Sequence, residues 1–186
     1  MKRIAAIVLF LVMLSGCGGN GVSVDRPLQF RKNLNQSSGY TFDAVITADY
    51  GNKCYEFELS CKVNNGSEFS FCVVNPETIS GISGIISEQS AALTFDDKIL
   101  VFEMLADGQI TPVIAPWLTI RALTSGFISA CGTEGELLHV QIDDSFYEIP
   151  LKLDVWFDTA NHPVRAEILW DGRRILSLEI KNFEIL

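Results

Sequence analysis

The sequence predicts a mainly β (α+β) domain: a curled antiparallel sheet, or incomplete β-barrel, with one main helix packed in its concave face. Three observations lead there. Several long stretches alternate apolar and polar side chains with the period of two that marks a half-buried strand. Turn dipeptides such as Gly51-Asn52, Asn65-Gly66 and Asp171-Gly172 separate them. One stretch, 112–128, is apolar at helical spacing instead. At about 3.3 Å per residue these strands span about 30 Å, and a one-sided sheet that long has to curl around whatever covers its apolar face.

The chain opens on a different pattern. Lys2 and Arg3 precede an apolar run, Ile4–Leu14, well short of the about 20 residues that span a bilayer. Leu14-Ser15-Gly16-Cys17 follows and resembles the lipobox of bacterial lipoproteins. The match implies a signal peptide over 1–16, diacylglyceryl transfer to the Cys17 sulfur, and a body held by its lipid on the extracytoplasmic face of the cell membrane. Residues 17–37 read as the lipidated cysteine and a flexible tether rich in Gly, Ser and Asn. A short helix over Pro27–Leu34 fits inside it, with Phe30 and Leu34 on one side. Residues 38–186 form the half-barrel domain.

Within that domain, 40–50 turns Tyr40, Phe42, Ala44, Ile46, Ala48 and Tyr50 to one face. Residues 53–63 do the same with Tyr55, Phe57, Leu59, Cys61 and Val63, and 67–74 with Phe69, Phe71 and Val73. Pairing 63 with 67 across the Asn64-Asn65-Gly66 turn sets Cys54, Cys61 and Cys72 out of register, so no disulfide is expected among them. Cys131 meets one of them only through the tertiary fold. Pro76–Ser80 is read as a helical turn, Gly81–Gly84 as a loop, and 91–95 with 98–105 as a hairpin around Asp96-Asp97. Over 112–128, Pro116 suits a first helical turn, and Trp117, Ile120, Leu123 and Phe127 make an apolar stripe that Leu118 and Ala122 widen. Arg121 is the one charge on this helix. Strands resume at 137–142, 151–158, 164–170 and 173–185. The total is eight or nine strands.

Composition narrows the function. The net charge is −9, from 14 Lys and Arg against 23 Asp and Glu, and losing Lys2 and Arg3 with the leader takes it to −11. Nucleic acid, whose phosphates need clustered cations, is excluded as a partner. An acidic body is also repelled by an anionic leaflet, so the anchor has to be the lipid. No GxSxG, HExxH or P-loop occurs. His139 lies on a polar strand face and His162 in a turn, and Cys54 and Cys61 lack zinc spacing. No catalytic set, metal site or cofactor is expected, and Asp96-Asp97, Asp143-Asp144 and Asp171 read as turn and strand-end residues. The set that bears on function is apolar: Tyr40, Phe42, Ile46, Tyr55, Phe57, Phe69, Phe71, Phe95, Phe102, Trp117, Leu118 and Leu123. These side chains either pack into a filled core or line a cavity for acyl chains with the helix as lid. Bulky Trp117 and Phe127 favour the filled interior.

The hairpin LTFDDKILVFEML at 93–105, the segment Pro112–Leu123, and the run from Leu151 to Ile185 with VWFD, PVRAEI and DGRR resemble the lipoprotein carrier and receptor proteins of the Lol system. That likeness implies an incomplete barrel closed by helices around an apolar interior. In length, lipobox and the VWFD–PVRAEI–DGRR run, the chain is closer still to the clostridial spore-germination lipoproteins of this fold. There the half-barrel is a protein partner of a cortex amidase. The resemblance implies a non-enzymatic interaction module at the cell envelope, with an acyl-chain or lipoprotein carrier as the alternative. The lipobox reading is checked by fractionation: the wild-type chain should pellet with membranes and Cys17→Ala should not, and recovery of both in one fraction would contradict it.

Overall fold

The alternating stretches do become strands, and nearly all of them join one sheet. The structure, a computed structural model, describes residues 24–64, 68–87, 91–95, 98–101, 105–106, 109–145 and 150–186. The expected signal segment, Cys17 and the first part of the expected tether lie outside the described residues, as do Phe102 and the side chain of Phe95. Helix α1 (Asp25–Gln36) leads into β1 (Gly39–Asp49), β2 (Cys54–Asn64), β3 (Glu68–Asn75), β4 (Ser83–Ile86), β5 (Ala91–Phe95) and β6 (Lys98–Val101). A small ladder of β7 (Leu105–Ala106) and β8 (Gln109–Ile110) precedes helix α2 (Ala115–Ser125). Then follow β9 (Phe127–Glu134), β10 (Leu137–Asp143), β11 (Leu151–Phe157), β12 (Pro163–Trp170) and β13 (Arg173–Ile185).

Eleven strands form one antiparallel sheet in the order β6-β5-β4-β3-β2-β1-β13-β12-β11-β10-β9. It consists of two meanders joined where β1 pairs with β13, from Tyr40 opposite Ile185 to Ala48 opposite Leu176. The sheet stays open, with β6 and β9 as its edges. The chain leaves the first meander at one edge and enters the second at the other, and the connection carries α2 across the apolar face. Every residue of α2 from Ala115 to Leu123 is buried, as expected of a helix apolar on nearly all sides.

The inward faces follow the alternation closely in β1, where Tyr40, Phe42, Ala44, Ile46 and Ala48 are at most 2% exposed. In β2 only the second half is covered: Leu59, Cys61 and Val63 are buried, Phe57 is half-buried and Tyr55 is exposed. The β2–β3 register is two residues from the expected one. Val63 faces Phe69 and Asn64 faces Glu68. Cys61 then lies opposite Phe71, Cys72 opposite Ser60 and Cys54 opposite Asp49, and all four described cysteines are free. The loop expected over Gly81–Gly84 is in part strand β4. A Cβ on Gly84 would sit 2.5 Å from the Phe71 ring, so the missing side chain is what lets that ring lie across β4.

Three further elements depart from expectation. The short helix expected over Pro27–Leu34 is present as the longer α1, residues 25–36, but it is docked on the domain and not part of a free tether: Phe30 and Leu34, on one side as expected, are buried against the sheet. The concave face therefore holds two helices instead of one. The helical stretch ends at Ser125, because Gly126 takes an extended conformation, and Phe127 starts strand β9 with 63% of its surface exposed. Edge strand β9 itself gives no alternation to read, since most of its side chains on both faces are open to solvent. The Asp171-Gly172 turn behaves as predicted, with φ of 49° and 74° at its two central residues as a type I′ hairpin requires.

A bulge near the end of β13 reverses its alternation. Thr41 pairs with Glu184 and Asp43 with Lys181, which leaves Asn182 and Phe183 opposite Phe42 alone. Asn182 adopts φ 53° and its amide donates to Asp43 Oδ2 at 2.8 Å. Ile180 points inward and so, three residues on, does Phe183. Its ring lies 5.6 Å from Phe30, 5.9 Å from Tyr40 and 5.6 Å from Phe42. Phe30 meets Phe157 edge-on at 5.1 Å. This aromatic cluster fastens α1 to both meanders.

The single charge on α2 is also buried. Arg121 is 9% exposed and donates from Nη2 (2.5 Å) and Nε (3.1 Å) to Oδ2 of Asp144, which is 1% exposed. The guanidinium also lies 4.8 Å from the Trp117 ring. Burial pushes the Asp144 carboxyl above its ordinary range, while the Arg121 hydrogen bonds pull it back. Asp144 is the strand-end residue that the sequence suggests, and it is also the anchor that fixes α2 to the end of β10. Breaking one half of such a pair leaves the other charge stranded at a cost of about 3–5 kcal/mol. Arg121→Met and Asp144→Leu should each lower stability in urea unfolding by that amount. The double variant should recover most of it, and additive losses would contradict the pairing.

Candidate functional site

The concave face is the first candidate, because the sequence places its apolar residues there. Tyr40, Phe42, Ile46, Phe69, Phe71, Trp117, Leu118 and Leu123 all belong to one core cluster with α1 and α2, and none is more than 8% exposed. Phe57 is half-buried against the edge of this cluster, and Tyr55, exposed at the uncovered end of β2, stacks on it at 6.4 Å, with Tyr50 6.3 Å from Tyr55. Burial pushes up the Tyr40 hydroxyl and the Cys61 thiol, the latter with the help of the Asp43 charge. Cys61 therefore acts as a small hydrophobe.

Helix α1 is locked in place from its other side. Arg31 donates to the Leu123 carbonyl (2.7 Å), the Gly126 carbonyl (2.7 Å) and, more weakly, the Ala122 carbonyl (3.4 Å). These oxygens sit at the C-terminal end of α2, where the helix leaves carbonyls without N–H partners and attracts a cation; the Ala122 carbonyl also accepts a backbone amide, that of Gly126, at 2.8 Å. Nothing in the local sequence marks Arg31, because its partners lie about ninety positions away in the chain.

A second candidate is a half-open groove of about 940 Å³ at one end of the sheet. Its apolar wall includes Tyr50, Ile110, Trp170 and Ile175, and its polar rim includes Asp49, Lys152 and Arg173. Tyr50 is held by a hydrogen bond from its hydroxyl to the Ile110 carbonyl, and burial pushes that hydroxyl up to about 12. By alternation Tyr50 is the last inward residue of its strand; in the fold it floors this groove.

The third is on the outer face. His139, Trp156 and Arg165 occupy one cross-strand row of β10, β11 and β12. The imidazole stacks on the indole at 4.6 Å and the guanidinium lies 4.1 Å over its other face. Trp156 also donates to Glu134 at 2.7 Å and is only 4% exposed. His139 Nε2 pairs with Asp154 Oδ1 at 2.8 Å, and Gln141 donates to the same oxygen at 3.0 Å. Glu167 receives Arg165 (2.5 Å) and Arg174 (2.9 Å). The histidine here is a packing and pairing residue. Alternation alone puts Trp156 on the solvent side, and the His139 imidazole, the Arg165 guanidinium and Glu134 cover it there. Among the described residues, no three His, Cys, Asp or Glu side chains are grouped to hold a metal ion.

No family model matches the chain, and no curated protein matches it by sequence. Solved structures do. A conserved uncharacterised protein from Thermus thermophilus superposes with a TM-score of 0.50 at 11% identity, over 88% of each chain. A LolA-superfamily protein from Nitrosomonas europaea gives 0.45 at 8% identity, over 89% of this chain and 94% of that one. A chain of the Clostridioides difficile complex between the CwlD amidase and the GerS lipoprotein gives 0.43 at 13% identity, over 90% and 99%. The chain shares its fold with the Thermus protein, and LolA-superfamily and lipoprotein structures are among its neighbours.

Proposed function

We propose that this chain is a lipid-anchored, non-enzymatic lipoprotein on the extracytoplasmic face of the cell membrane, and that it works as a protein-interaction module. The observation that carries this reading is the occupied concave face. Where a carrier of acyl chains needs empty apolar volume, this chain places Phe30 and Leu34 of α1 and Trp117, Leu118 and Leu123 of α2, all buried. Displacing α1 would break the aromatic cluster and strip Arg31 from its three carbonyls, each charged hydrogen bond being worth about 1.5–3 kcal/mol. Binding then falls to the outside of the domain. The groove offers Tyr50, Trp170 and Arg173, the residue types that dominate the energetics of protein interfaces. The finer reading, a partner among cell-wall or spore-germination enzymes, follows from the sequence resemblance to clostridial lipoproteins.

Native mass spectrometry of the detergent-extracted full chain tests this. The expected spectrum holds the covalently lipidated chain with no further acyl mass, before and after addition of oleate. A non-covalent fatty acid or phospholipid that Phe57→Glu abolishes would contradict it and favour the carrier.

A further inference from the structure

We infer that the surface where the start of α1 meets the α2–β9 junction rests on the bilayer, so that the anchored domain is held in one orientation. This rests on the lipid-anchor reading of Cys17. Val24, Leu28 and Phe127 are 45%, 46% and 63% exposed and border one shallow pocket with Arg31 and Ile128. Three exposed apolar side chains around one pocket are a patch of the kind that marks an interaction surface.

Chain length points to the occupant. Val24 is seven peptide units from Cys17, a span of at most about 25 Å when fully extended. A domain of this size is about 40 Å across. A lipid on Cys17 therefore keeps this face close to the membrane, and the domain cannot turn its opposite face down. Charge points the same way. Helix α1 carries Arg26, Arg31 and Lys32 against Asp25 alone, in a chain that is otherwise strongly acidic. Lys32 is one turn from Leu28, beside the apolar patch. Asp143, opposite Phe127 on β10, is a carboxylate that works against this attraction, and the three cations of α1 outnumber it and Asp25 together. An anionic leaflet attracts this helix and repels the rest of the body.

The test uses the lipidated full chain in vesicles of phosphatidylcholine with a minority of phosphatidylglycerol, some of the phosphatidylcholine being brominated to quench tryptophan. Leu28→Trp and Phe127→Trp are compared with Ile85→Trp, a site on β4 that is equally open at 51% exposure. All are read against the parent chain with its own three tryptophans. Roughly twofold stronger quenching at 28 and 127 than at 85 is expected of side chains at the interface. Equal quenching at all three sites, in protein that sediments with the vesicles, would overturn the orientation and leave the anchor standing. Shielded emission at 28 and 127 before vesicles are added would overturn it in favour of a face between two copies of the chain. Failure of the parent to sediment would overturn the anchor, and the orientation with it.

Discussion

The first strand of the sheet pairs with the last, and this single pairing dictates where the helices go. Because β1 joins β13, the two meanders run outward in opposite directions and end at distant edges, β6 and β9. The chain has to travel from one edge to the other, and its route lies over the apolar face. The crossing segment is therefore wetted on neither side and is buried all round, as α2 is from Ala115 to Leu123. A sheet with one apolar face and no closure also needs more cover than one helix of eleven residues gives. Helix α1 supplies the remainder from the other end of the chain.

The interactions that hold this cover are few and specific. Phe183 turns inward because Asn182 makes a bulge, and its ring gathers Phe30, Tyr40 and Phe42. Arg31 ties α1 to the exposed carbonyls at the end of α2. Arg121 ties the middle of α2 to Asp144. The first of these is apolar and adds stability in proportion to buried area. Arg121 contributes position as much as energy, since a buried ion pair gains little over a well-packed apolar pair but penalises every arrangement that separates it; Arg31 fixes position through its directed bonds to backbone carbonyls. Together they make the helices a fixed part of the interior, which is the premise of the proposed interaction role.

Sequence periodicity reveals what local chemistry controls. Strand β1 is legible to the residue because both its faces are regular and its inward side is fully covered. Strand β2 is legible only in direction: Tyr55 and Phe57 keep the alternation but run past the cover, so they face inward without being buried. The Val63–Phe69 register differs from the expected one because Asn64, read as the first turn residue, pairs with Glu68 as the end of the strand. Phe183 is hidden because strict alternation from Ile180 skips it, and only the readiness of asparagine for positive φ hints at the bulge. The polar features are legible as residues and not as pairs. Arg121 stands out as the one charge on a buried helix, but Asp144 is 23 positions away. Arg31 and the His139–Trp156–Arg165 stack depend on contacts made across the fold.

The candidate site follows the same division. Most of the apolar residues that the sequence singles out are core residues, buried by the chain's own helices, and the proposed choice of interaction module over carrier rests on that burial. Amide hydrogen exchange of α1 in the full chain, with and without oleate, probes that choice most directly. If α1 is a permanent part of the interior, the amides from Arg31 to Gln36 exchange only through global unfolding and oleate leaves them unchanged. Fast exchange of α1 while β1 stays protected, or opening of α1 on adding oleate, would mean that the helix is a gate over a ligand cavity.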